Sequence, residues 1–218
     1  MQTVRVFFKK MGRSKYISHL DLSRCMQRAL KRSGLPVWYT EGFHPHLYLA
    51  FALPLSLGYE SQCESMDFKL TEEVSPKQLL TALNAALPEG LEAFGVGEPV
   101  MKPEKIAWAR YQVRLLLADK AISCRPKFEA FLAQPAILVR KRTKKGEKEL
   151  DIKPLFTVDR MEESTGELCL ELTVSSGGSV NINPALILDA FCSFAELESV
   201  GIDVIRKQIL TENFEPFV

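Results

Sequence analysis

This sequence has little of the usual apparatus of an enzyme. It has three histidines in 218 residues, at 19, 44 and 46, so any histidine-based chemistry has a single set of members. The five cysteines, at 25, 63, 124, 169 and 192, are odd in number and widely scattered. That pattern excludes a disulfide framework and a cysteine-based zinc or iron–sulfur site, and it points to reduced thiols in a cytoplasm. GxxxxGK[ST], GxGxxG, HExxH and GxSxG are all absent, which removes the common nucleotide-binding, zinc-protease and serine-hydrolase signatures. No run approaches the ~20 apolar residues that a membrane helix needs. The opening MQTVRVFFKK has no apolar core after its charges, so no secretory signal is expected.

What is present is an ordinary globular composition, 46% hydrophobic and 25% charged. The net charge of +1 conceals segregation. Residues 1–48 hold nine Lys/Arg against two acids, and residues 101–153 hold fourteen against six. The rest of the chain holds five against nineteen. Blocks of this kind build a positive face even in a nearly neutral protein.

Hydrophobic periodicity and turn chemistry predict two halves of one plan. In the first, VRVFF (4–8) is a strand and Ser18 caps a helix reaching Ser33, stopped by Gly34 and Pro36. Strand-like stretches follow at 37–40, 47–55 and 65–70, then a helix opened by Ser75-Pro76 and a strand from Leu91. The second half reads as a strand at 111–117, a helix at 124–134, a basic hairpin of 136–142 and 148–152, a strand at 166–174, a helix from Asn183-Pro184 and a strand at 203–210. The expected fold class is α+β: two tandem ferredoxin-like β-α-β-β-α-β units with antiparallel sheets. Residues 1–100 form the first unit, 101–109 a linker and 110–218 the second.

Three chemistries are open to these residues. His19, His44 and His46 are candidate metal ligands, although HxH alone is a weak pattern. His19 or His46, with Asp21 nearby, is a candidate acid–base group for metal-independent cleavage of RNA. His19 lies in a first helical turn, where the macrodipole favours the neutral imidazole. The third chemistry is binding. Lys9, Lys10, Arg13, Arg24, Arg28 and Arg32, with Lys141, Arg142, Lys144 and Lys145 of the hairpin, are expected to contact phosphate, and interleaved aromatics to stack on bases. His19, Asp21, Tyr39, Gly42, Phe43, His44, Pro45 and His46 are expected to make a local site where the helix start meets its facing loop.

The succession Tyr16-Ile17-Ser18-His19-Leu20-Asp21-Leu22, Gly34-Leu35-Pro36, Glu41-Gly42-Phe43-His44-Pro45-His46, Phe51-Ala52-Leu53-Pro54-Leu55 and Gly58 is distinctive. Over nearly the whole chain it resembles the radical-SAM-associated family of uncharacterised bacterial proteins, found fused to or encoded beside a radical SAM protein. The sequence departs from that pattern at His44, Leu47 and Tyr48, which leaves His19 and His46 as the matching histidines. The resemblance implies a cytoplasmic protein with a radical SAM partner. That partner is expected to carry the iron–sulfur cluster and S-adenosylmethionine, and this chain, lacking CxxxCxxC, no cofactor. The expected function is an accessory protein, more a binder than a catalyst, that presents ribosomal or transfer RNA for modification. The alternatives are the endoribonuclease using His19 or His46 and a protein–protein adaptor with no RNA role.

Overall fold

A computed structural model describes residues 1–119, 121, 123–143, 146–178 and 180–218, with backbone alone for 141–143 and 146–148. Its described residues form a mixed α+β protein of four α-helices and ten strands, which divides into two compact units. The first is Met1–Ile106 with Pro216–Val218, and the second is Ala107–Glu215.

In the first unit, β1 (Gln2–Lys10) alternates, burying Val4, Val6 and Phe8 on one face. Ser18 caps α1 (His19–Arg32), whose stripe of Leu22, Met26, Ala29 and Leu30 is buried as the 3.6 period requires. β2 (Leu49–Phe51) and the long β3 (Glu60–Leu70) follow. Then come α2 (Pro76–Ala86), capped by Ser75 with proline in its first turn, and β4 (Leu91–Gly97). Within this unit the strands run β4-β1-β3-β2, with every neighbouring pair antiparallel. The stretch 37–40, expected as a strand, instead makes only the isolated bridges Val37↔Leu70 and Tyr39↔Leu47. Pro36 and the flanking loop leave too few paired residues for a ladder.

Gly90 shows how closely this unit is fitted. Its φ is +85°, and an added Cβ would lie 2.5 Å from the carbonyl oxygen of Met11. The Met11 amide in turn donates to the Gly90 carbonyl at 2.8 Å, holding the start of the 3-10 turn Gly12–Tyr16 against the turn that leads into β4. Gly90→Ala is therefore expected to cost roughly 1–3 kcal/mol through left-handed strain alone, before the clash is relieved. A urea midpoint equal to that of the native chain would show that the turn yields freely.

The second unit contains β5 (Ile106–Leu117), α3 (Arg125–Ala133), β6 (Leu138–Thr143), β7 (Gly146–Asp151), β8 (Phe156–Ser164), β9 (Glu167–Ser175), α4 (Pro184–Ala195) and β10 (Ser199–Thr211). Strand β5 begins at Ile106, inside the stretch expected as linker. Strands of this unit follow β10-β5-β9-β8, while β6 and β7 pair with each other in a separate two-stranded sheet. The basic hairpin therefore forms, but the sheet position expected for it is taken by β8. That strand escaped detection because it is an edge strand with mostly exposed residues and a bulge between Val158 and Arg160, so it shows no clean alternation. Phe128, Phe131 and Phe191 meet at ring-centroid distances of 4.7–5.8 Å and fill the helix side of this core. All five cysteines are free thiols. No helix among the described residues is long and apolar enough to cross a membrane.

Candidate nucleic-acid interface

Because α1 buries one stripe, the arginines at 24, 28 and 32 recur every four residues along its outer side. They line an open groove of about 330 Å³ with Asp21, Cys25 and Pro88. Their positions differ in freedom. Arg24 Nη1 donates to Asp21 Oδ1 at 3.2 Å. Arg32 Nη2 donates at 2.8 Å to the carbonyl of Ala86, in the last turn of α2, where helical carbonyls lack intrahelical partners. Arg28 is exposed and makes no hydrogen bond or ion pair with the described residues. Burial pushes the Cys25 thiol above its ordinary value, against the smaller opposing pull of Arg32 and Arg28. The groove thus presents guanidinium charge over a neutral floor, which suits an anion and not a nucleophilic thiolate.

Asp21 is committed to the helix start. Ser18 Oγ accepts from the Asp21 amide at 3.1 Å and donates to Asp21 Oδ2 at 2.7 Å, a reciprocal cap. The Ser18 hydroxyl, and next Arg24, hold the Asp21 carboxyl below the usual carboxylate range. An ionised carboxylate that caps a helix and orients an arginine is a poor proton acceptor at neutral pH. His19, beside it, packs its ring edge-on against Phe51 at 5.2 Å.

Tyr39 is reached by Lys31, whose Nζ sits 5.6 Å from its ring centroid, and Lys31 is twelve residues beyond His19. At ~1.5 Å per residue that is roughly 18 Å along α1. His19 and Asp21 stand in the first turn of α1, while Lys31, in its last turn, is the residue of α1 that reaches the Tyr39 ring. His46 is held by Thr40, its Nδ1 lying 2.9 Å from Thr40 Oγ1 and 3.3 Å from the His44 carbonyl oxygen. No group of three or more His, Cys, Asp or Glu among the described residues could hold a metal ion, so the three histidines do not assemble as a ligand set.

Two other expectations change. Lys10 is 1% exposed, and its Nζ donates to the carbonyls of Lys15 at 3.1 Å and Tyr59 at 3.4 Å. It sits on the same face of β1 as Phe8, where alternation sends every second side chain inward, so it is a buried structural cation and not a phosphate contact. Lys9 is on the opposite face, 3.5 Å from Glu92 and 5.7 Å from the Phe94 ring centroid. Arg13 is exposed on the 3-10 turn. Lys144 and Lys145 lie outside the described residues, as do the side chains of Lys141 and Arg142.

One residue that the sequence did not single out, Lys69, completes the loop's surroundings. Lys69 Nζ lies 4.9 Å from the Trp38 ring centroid and 5.4 Å from that of Tyr48. The signal that placed it there is tertiary: the Trp38 amide donates to the Lys69 carbonyl at 2.9 Å, across 31 positions of chain.

Residues 3–184 match the model of a family described as "Uncharacterized protein conserved in bacteria (DUF2344)". No curated protein matches the chain.

Proposed function

Since the chain belongs to the DUF2344 family of bacterial proteins, we propose that it is an accessory RNA-binding protein of the cytoplasm, one that presents ribosomal or transfer RNA to a radical SAM enzyme. One observation carries the RNA reading. The outer side of α1 is an open groove lined by three arginines, one of them without a partner among the described residues. Guanidinium groups repeating along a helix contact successive anionic groups, and a nucleic-acid backbone is the common polyanion of that form. Arg13 in the first unit and, in the second, the hairpin cations Lys141, Arg142, Lys144 and Lys145 are further phosphate contacts proposed from the sequence. The radical SAM partner, with its iron–sulfur cluster and S-adenosylmethionine, rests on the sequence resemblance. The strand orders β4-β1-β3-β2 and β10-β5-β9-β8 support a tandem ferredoxin-like reading, a frame that hosts many functions.

Anisotropy titration of the full chain against labelled tRNA and ribosomal RNA fragments, across several salt concentrations, tests this. Affinity is expected to fall steeply with salt, by about 0.7 in the log–log slope for each phosphate contact on single strands. Absence of binding at low salt would sink the RNA reading. It would leave the adaptor reading, which has an observation of its own. A groove of about 330 Å³ in the second unit is lined by Phe131, Ile137, Leu138, Leu186, Ala190 and Phe194, with Leu138 58% exposed. Cleavage of the RNA in EDTA, lost in His46→Ala or His19→Ala, would instead favour the endoribonuclease.

A further inference from the structure

The segment from Tyr39 to Tyr48 is a finger pinned at its neck. The Thr40 amide donates to the His46 carbonyl at 2.8 Å, and the His46 amide donates to Thr40 Oγ1 at 3.0 Å. Just below, Tyr39 bridges Leu47, and Leu47 is 3% exposed in the core of the first unit. Beyond this neck every residue from Glu41 to His46 is exposed. Gly42 turns the tip at φ +128°, a conformation that essentially requires glycine. Phe43 then stands clear of the protein, fully exposed at 101%. The neck prevents the ring from folding back onto the core, and the flanks of the finger are cationic: Lys31 rests on Tyr39 and Lys69 on Trp38 and Tyr48. Cation–π contact holds those ammonium groups on the rings at the base of the finger.

We propose that this finger is a base-stacking element: an unpaired nucleobase of the RNA stacks on the Phe43 ring, and Lys31 and Lys69 meet the phosphates on either side. The inference rests on the RNA reading above and adds the state of the substrate, single-stranded at this point. A paired base keeps its faces inside the duplex, whereas an unpaired one offers a π-face that any aromatic ring can take. The tip carries only Glu41 as an acid, so nothing else at the finger repels a backbone.

The test compares the full chain with Phe43→Ala, Phe43→Leu and Phe43→Trp, each titrated against an unstructured oligoribonucleotide and a duplex RNA of equal length. Phe43→Ala and Phe43→Leu are expected to weaken binding to the single strand roughly 5- to 150-fold, with the salt slope and duplex affinity unchanged. Phe43→Trp should restore it. Single-strand affinity unchanged in Phe43→Ala, in a chain that binds RNA, overturns the finger and leaves the RNA reading standing. Full rescue by leucine overturns stacking in favour of simple apolar contact. Phe43-dependent sedimentation with phosphatidylcholine–phosphatidylserine vesicles, without an effect on RNA, overturns it in favour of a membrane surface. A native chain that binds neither RNA removes the finger together with the reading beneath it.

Discussion

Replacing Arg5 with alanine is expected to be the most destabilising single change outside the apolar core, costing roughly 3–5 kcal/mol as the loss of a buried ion-pair partner does. Its guanidinium is 1% exposed and grips Asp67 with two hydrogen bonds, Nε to Oδ1 at 2.7 Å and Nη2 to Oδ2 at 2.8 Å. The remaining Nη1 donates to the Val218 carbonyl at 3.0 Å, and the plane covers the Phe217 ring at 4.6 Å. The arginine thus holds residues 216–218 onto the first unit, where the Met101 amide also donates to the Val218 carbonyl. In a chain of this size about 2–4 °C of melting temperature accompanies each kcal/mol, so a fall of roughly 6–20 °C is expected. Arg5→Lys keeps the charge but not the planar fork, and should recover only part of it. Hydrogen exchange at the Met101 amide should accelerate in both variants. A melting point within a degree of native would show that Asp67 is solvated well enough to need no partner.

The second large effect concerns binding. In the double variant Arg24→Glu/Arg28→Glu, two cations of the α1 groove become anions, and Asp21 loses its guanidinium partner. Both positions are exposed, so the fold should survive, with the Ser18 cap on Asp21 still in place. RNA affinity at low salt is expected to fall roughly tenfold or more, similarly across sequences, with the log–log salt slope shallower by about 1.4 on single strands. A drop in affinity with an unchanged slope would place the lost energy in something other than phosphate contacts. Unchanged affinity and slope would move the interface off α1 altogether.

Much of this was legible because it is written locally. Ser18, Ser75 and Asn183 announce helix starts through side chains that accept amide hydrogens two or three residues on, and all three act as caps. The arginine spacing on α1 needs only the helical period to become a face. Non-local pairing was not legible. Lys10 reads as one more cation of a basic block, and only the pairing of β1 with β3 and β4 on both sides encloses it. Strand β8 has no pattern of its own because one edge strand, half solvated, places weak demands on its side chains.

The sequence by itself determined the helices, the caps at Ser18, Ser75 and Asn183 and the segregation of charge, because these depend on residues within a turn or two of one another. Tertiary structure alone decided which cations are free and which are spent. It put Arg32 on the end of α2, sealed Lys10 beneath the 3-10 turn, and set Lys69 beside Trp38 and Tyr48. Distances across a sheet or along a packed helix are set by register and burial, and no spacing in the chain encodes them.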